Sequence, residues 1–167
     1  MLVIAFVGRS TSREMGLAQP LAGAGKILLV GAVLCGSTWS AGYALRFIGP
    51  SYPIPWARSW QYAIWALVQQ FILQSIFFVR LESLVGGRRA AAWTASLYAA
   101  AHIPNPVLTL LSFSGGLLFC ELFRRWRNLF PLGIIHAAVG FTIAASLPDK
   151  WLHHMRVGIG YLADRRW

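Results

Sequence analysis

Five apolar stretches, roughly residues 27–48, 60–80, 90–104, 106–123 and 128–147, dominate the chain, and charge gathers at their ends. A hydrocarbon core of about 30 Å takes about 20 helical residues, and each spanning segment must satisfy its own backbone polar groups. The stretches therefore predict an all-α fold, a polytopic transmembrane helix bundle of about five membrane segments. Composition agrees: 57% of the 167 residues are hydrophobic and 12% are charged, more apolar surface than one small water-soluble core could hide. The five acids, Glu14, Glu82, Glu121, Asp149 and Asp164, each fall in a loop, at a segment end or in a tail, as the cost of charge at mid-bilayer requires.

The third stretch ends in His102-Ile-Pro104-Asn-Pro106, where two prolines break the helix and force a tight reversal into the fourth. In the fourth, Ser112 and Gly116 form a small-xxx-small face suited to close helix packing. Trp56, Trp60, Trp65, Trp93, Trp126 and Trp151 sit mostly near segment ends, as interfacial anchors. The organisation expected is an N-terminal basic segment (1–26), a first transmembrane helix with its loop (27–58), a membrane core (59–147) and a basic, mildly amphipathic C-terminal tail (148–167) lying on the membrane surface. In the tail, adjacent His153 and His154 would point about 100° apart on a helix and converge poorly on a metal. The opening apolar run Met1–Val7 is too short to span and lacks a basic start, so no cleaved leader is expected. Cys35 and Cys120 lie in apolar segments and predict two buried thiols with no disulfide framework.

The net charge of +10 gathers in clusters such as Arg88-Arg89 and Arg124–Arg127. Bordering apolar stretches, these read as topology signals and anionic-lipid contacts, so membrane lipid is an expected partner and nucleic acid is not. Arg9, Arg13, Lys26, Arg80, Arg88, Arg89, Arg124, Arg125 and Arg127 fall on one side, against Arg46, Arg58, Lys150, Arg156, Arg165 and Arg166 on the other. The richer side is expected to be cytoplasmic, with the N-terminus in and the C-terminus out.

With the anchors set aside, the polar groups at depth are Gln69, Gln70 and Gln74 in the second stretch, His102 at the end of the third and His136 in the fifth. Intramembrane polar side chains face the bundle interior or a cavity, so these five are expected to face one another. Gln70 and Gln74 share a helix face; Tyr98 and His102 are likewise four apart, so the phenol could orient the imidazole. The same residues could instead merely tie helices together, with hydrogen bonds of about 1 kcal/mol each.

The order of these residues resembles the CAAX-protease and bacteriocin-processing (CPBP, or Abi) family of intramembrane endopeptidases, over about residues 59 to 147. That family carries Glu-Glu-x-x-x-Arg, Phe-x-x-x-His and His-x-x-x-Asn/Asp. Gln69-Gln70-Phe-Ile-Leu-Gln74 occupies the first motif with three amides, and Tyr98-x-x-x-His102 the second, with Tyr for Phe. The following turn containing Asn105 resembles the family's turn there, and "NLFPLGIIHAAVG" resembles the third motif, with His136 and with Gly140 where Asn or Asp is usual. The resemblance implies peptide-bond hydrolysis, with a membrane-associated peptide or protein as substrate. Gln69 would stand at the base position with Gln70 and His102 beside it, and His136 at the oxyanion; Gln74, Tyr98, Asn105 and Gly140 would support them. An amide cannot take a proton from water near neutral pH, so the surviving catalytic arrangement makes His102 the base, with Gln69 or Gln70 holding the water.

Three other readings stay open on sequence alone. Ser112-Phe-Ser114-Gly115 with His136 faintly resembles a rhomboid-like serine dyad. A catalytically inactive pseudoprotease would use the same cavity to bind a peptide, lipid or partner helix. His102 and His136 could give two nitrogens to a divalent metal or a haem, without a thiolate or carboxylate companion. No cofactor is otherwise indicated. The expected setting is a multi-pass integral membrane protein of a bacterial inner (plasma) membrane.

Overall fold

The computed structural model describes residues 10–47 and 56–163, with side chains from 59 onward in the second range. Met1–Val7, Arg9, Asp164, Arg165 and Arg166, and the side chains of Trp56 and Arg58, lie outside the described residues.

Helix α1 spans Ala24–Ala44. Helix α2, Trp56–Gln70, passes without a break into a π-helical stretch, Phe71–Phe78, and then into α3, Val79–Val85. Gly86, at φ 81°, takes a backbone conformation open to glycine and ends α3. Helix α4 is Gly87–Ala100, α5 is Pro106–Trp126, α6 is Leu129–Ser146, and the short α7 (Asp149–Leu152) and α8 (Gly158–Ala163) complete the described chain.

Four helices, Ala24–Ala44, Ser59–Val85, Pro106–Trp126 and Leu129–Ser146, are long and apolar enough to cross a membrane. They match four of the five apolar stretches. The other stretch yields α4, whose 14 residues fall short of the about 20 a full crossing takes. The chain is an integral membrane protein built as a helical bundle. Its lipid-side character is plain in Trp60, Trp65 and Trp93, all exposed along with Leu29, Val33, Ile64 and Leu110.

Helix α6 is the centre of the bundle: α1 and α2 pack along it, while α4 packs on α5 and is joined to α2 through the π-helical stretch and α3. Glycines allow the closest approaches. Gly116 meets Ala95 where α5 crosses α4, as its small-residue pattern implies, and Gly133 meets Leu67 where α6 crosses α2. Cys120 is buried, whereas Cys35 is only half-buried; both are free. Cys35 falls short of the expected burial because α1 is the outermost long helix, with Ile27, Gly31 and Gly42 its only buried residues.

The π-helical stretch is the main departure from a regular reading of the second segment. Its i→i+5 bonding, as in Val79 N–H to the Gln74 carbonyl, slows the turn of the helix. Leu73, Gln74 and Ser75 are consequently all buried, which steps of about 100° on a half-exposed α-helix would not allow.

Among the described residues, the ion pairs of Glu82, Glu121 and Asp149 lie near helix ends. At one end of the bundle Glu82 pairs with Arg127, Glu121 holds Arg124 at 2.8 Å and Arg125 at 2.6 Å, and the N-terminal segment is fastened by Asn128 Nδ2 to the Pro20 and Ala22 carbonyls. Thr11 and Glu14 close that segment's first turn reciprocally; the Thr11 backbone N–H bond holds the Glu14 carboxyl below its ordinary range.

The opposite end carries the His102–Asn105 turn and the C-terminal segment. Asn105 caps α5, accepting from Leu108 N at 3.1 Å with Pro106 in the first turn. The same side chain donates to the carbonyls of Leu152, at 2.8 Å, and Arg156, at 3.2 Å, and Gly158 N–H donates to the Ile103 carbonyl. The segment through Gly158 is thus strapped across the turn, and Leu152 is buried beneath it. His153 and His154 both take positive φ, so they do not share a regular helix; His154 Nδ1 meets Asp149 at 3.1 Å.

Candidate active site

One cavity, of about 180 Å³, opens among α2, α4, α5 and α6. Gln69, Tyr98, His102, His136 and Gly140 all line it, together with Tyr62, Trp65, Ser112 and Phe119, and Met155 and Val157 of the strapped tail form part of its wall. Polar residues far apart in sequence therefore share one interior.

Helix α2 and the π-helical stretch that continues it bring two rows of amides. Gln69 faces the cavity, whereas Gln70 and Gln74 are fully buried behind it. Gln74 Nε2 donates to Gln70 Oε1 at 3.3 Å, and Gln70 Nε2 lies 3.2 Å from His136 Nδ1. With the Gln70 amide nitrogen donating, Nδ1 holds the lone pair and a neutral His136 carries its proton on Nε2; the Ala66 carbonyl also faces the imidazole, and an Nδ1–H turned to it would give the opposite tautomer. His136 Nε2 stands 3.0 Å from the Tyr98 hydroxyl. In the tautomer protonated at Nε2 the phenol oxygen accepts there and its own O–H is free to donate elsewhere; in the other the phenol donates to Nε2. The chain Gln74, Gln70, His136, Tyr98 is one polarised series leading from the bundle interior toward the cavity.

His102 is set differently. Its Nδ1 is 2.8 Å from the Tyr98 carbonyl, and a carbonyl only accepts, so Nδ1 carries the proton and Nε2 is the basic nitrogen. The Tyr98 ring packs edge-on against the imidazole at 4.8 Å. The i, i+4 relation of Tyr98 and His102 does orient the imidazole, but through the backbone carbonyl; the phenol that sequence spacing assigned to His102 goes to His136. Geometry explains this, because the helix ends at Ala100 and His102 folds back within the turn. Phe119 lies against His136 at 5.4 Å and completes the ring's packing.

Asn105 stands outside the cavity lining, engaged as the cap and tail clamp described above. Gly140 matters for what it lacks. A Cβ there would collide with the Tyr62 hydroxyl, which occupies the space over the helix backbone. Sequence reading passed over Tyr62, although it precedes Gln69 by seven residues and so lies on the same face of α2, two turns away.

No carboxylate lines the cavity among the described residues, and no group of three or more metal-ligating side chains occurs among them. Both His136 nitrogens are already hydrogen-bonded, leaving His102 Nε2 as one free imidazole donor. That set does not fit a divalent metal held by the protein, since such sites draw on three or four ligands. Ser112 lines the cavity but Ser114 does not; Ser114 donates to the Leu110 carbonyl at 3.0 Å, as a packing serine does.

No curated protein and no solved structure matches this chain. The family model for type II CAAX prenyl endopeptidase Rce1-like proteins matches residues 54–142, just over half of the chain and the part that carries Gln69, Tyr98, His102 and His136. The chain belongs to that Rce1-like family of CAAX-protease-like intramembrane peptidases.

Proposed function

We propose that this chain is an intramembrane endopeptidase, cleaving membrane-associated peptides or proteins with an imidazole in the role of general base. The observation that carries the reading is His102: its Nδ1 is committed to the Tyr98 carbonyl, its Nε2 is left basic, and it shares a cavity with Gln69, Tyr98 and His136. Gln69 holds the attacking water by its amide oxygen. His102 Nε2 takes one proton from that water as the oxygen adds to the scissile carbonyl. The oxyanion receives the Tyr98 O–H, whose oxygen is held by His136 and, behind it, by Gln70 and Gln74. His102 then passes its proton to the departing amine, leaving a free carboxyl and a free amine. No cofactor takes part in these steps. The setting is a bacterial inner membrane, with the cavity toward the outer side, opposite the arginine-rich end.

A second reading, a pseudoprotease that binds a peptide, lipid or partner helix, is favoured by the lack of a carboxylate in the cavity lining. One experiment separates the two: mass-spectrometric comparison of protein N- and C-termini in host cells expressing the wild type or His102→Ala at matched levels. Defined termini that vanish only in the variant support hydrolysis and identify substrates. Identical termini would sink it in favour of the binding role. A cysteine-accessibility map showing position 105 on the cytoplasmic side would overturn the outward placement.

A further inference from the structure

We infer that Tyr62 is a further catalytic residue, whose hydroxyl gives the oxyanion a second hydrogen bond beside that of Tyr98; the inference rests on the peptidase reading above. Three observations meet at this side chain. Its hydroxyl lies directly over the backbone of Gly140, in space open only because residue 140 has no Cβ. Its ring is held against Phe141 at 4.9 Å, so the phenol is pinned between α2 and α6. It lines the same cavity as Gln69, Tyr98, His102 and His136, and its hydroxyl makes no hydrogen bond to any described residue. A phenol turned toward the interior ordinarily finds a partner; this donor is set up for one that arrives with the substrate.

The spacing suits the role. Gly140 follows His136 by four residues on α6, a separation of about 6 Å along the axis. Tyr62 meets α6 at Gly140, and Tyr98 meets it at His136. Two donors that each approach one oxygen to about 3 Å stand up to about 6 Å apart, so the two hydroxyls can converge on a single oxyanion between them. A phenol stays protonated at neutral pH and can only strengthen its bond as negative charge develops on the acceptor. It donates without transferring its proton, so the proton balance of the His102 mechanism is unchanged.

The test uses a synthetic peptide spanning the strongest His102-dependent cleavage site, with the full chain in detergent or proteoliposomes. Tyr62→Phe keeps the ring against Phe141 and removes the donor; kcat should fall about 100-fold with KM nearly unchanged. Tyr62→Ala opens the space over Gly140, and Tyr62→Ala/Gly140→Asn places an amide donor there; the double variant should recover about tenfold or more over Tyr62→Ala. A residue that only packs would give no such amide rescue. Wild-type kcat in Tyr62→Phe overturns this inference and leaves the peptidase reading standing, whereas absence of His102-dependent cleavage in the wild type overturns both. Should Tyr62→Phe fail to fold, the amide rescue decides, and no recovery in the double variant overturns the inference.

Discussion

Gln70→Leu tests the buried amide series most directly. Gln70 is fully buried and makes two side-chain hydrogen bonds, from Gln74 at 3.3 Å and to His136 Nδ1 at 3.2 Å. Leucine reaches one atom less far but is no smaller in volume and has no polar atoms, so the loss is chiefly the two bonds. Buried side-chain hydrogen bonds in membrane proteins average about 0.6 kcal/mol and reach about 1.7; both bonds here are long, so the pair together should be worth about 1 to 2 kcal/mol. The assay is reversible unfolding in mixed micelles with increasing denaturing detergent, followed by tryptophan fluorescence. Gln74→Leu removes the bond to Gln70 and a weaker one to the Cys120 sulfur, and should cost somewhat less than Gln70→Leu. The double variant should cost less than the sum, with a coupling of about 0.5 to 1 kcal/mol from the shared bond. Activity should drop about 10- to 100-fold in Gln70→Leu, because His136 loses the donor that fixes its tautomer. Stability within about 0.3 kcal/mol of wild type, with additive single and double effects, would refute the hydrogen-bonded series.

Burial holds His102 below the ordinary imidazole range, so cleavage, which needs it neutral, should rise as pH increases from the acid side through that lowered value, and a rate that rises on acidification would contradict a His102 base. Asn105→Ala removes the α5 cap and both bonds to the tail; it should cost about 1 to 2 kcal/mol and speed trypsin cleavage after Arg156, with an unchanged digestion rate counting against the strap. Gly140→Ala in the presence of Tyr62 forces its methyl against the phenol and should destabilise by about 1 to 3 kcal/mol, measured by the same detergent unfolding. The Glu14 carboxyl, depressed by its Thr11 bonds, contributes above its ordinary range; that contribution should vanish as pH falls through the lowered value, seen as a loss of exchange protection at Thr11 and Glu14 relative to the intrinsic amide rate at each pH.

The fold was legible because bilayer physics acts on composition and length. Apolar stretches of spanning length carry their helices with them, the prolines at 104 and 106 mark the reversal, and the arginine clusters mark the end where Glu82 meets Arg127. The expectation that Gln69, Gln70, Gln74, His102 and His136 face inward followed from the cost of polar groups in lipid, and Gln69, His102 and His136 line one cavity with Gln70 and Gln74 buried behind it. What the sequence could not supply was phase. The π-helical turn shifts which residues of 71–78 point inward, and no single residue type announces it. Nor could it choose between the phenol and the carbonyl of Tyr98 as partner of His102, since both lie four residues back and only the helix end at Ala100 decides. Tyr62 was missed for a different reason: a tyrosine near a helix start reads as an interfacial anchor, and its role depends on Gly140 in a helix far along the chain.

The replacement of acids by amides has a consequence that the geometry makes concrete. A carboxylate at position 70, against His136 Nδ1, would draw the imidazole's proton to that nitrogen and reverse the series, leaving Nε2 to accept from Tyr98 and engaging the Tyr98 O–H. Gln70, donating instead, leaves the Tyr98 O–H directed away from the series and available to a substrate. The same substitution removes a proton acceptor and passes that burden to His102. Gln70→Glu therefore should not simply restore a lost acid: it should trap Tyr98 as a donor to His136, cost stability by placing an ionisable group where exposure is 0%, and lower cleavage unless Gln69→Glu supplies a base in the cavity at the same time. Cleavage rates of the two single variants and the pair, on the peptide that defines His102-dependent activity, settle the point. A Gln70→Glu variant faster than wild type by itself would show that the series runs in the opposite direction, with Tyr98 donating to His136 in the wild type.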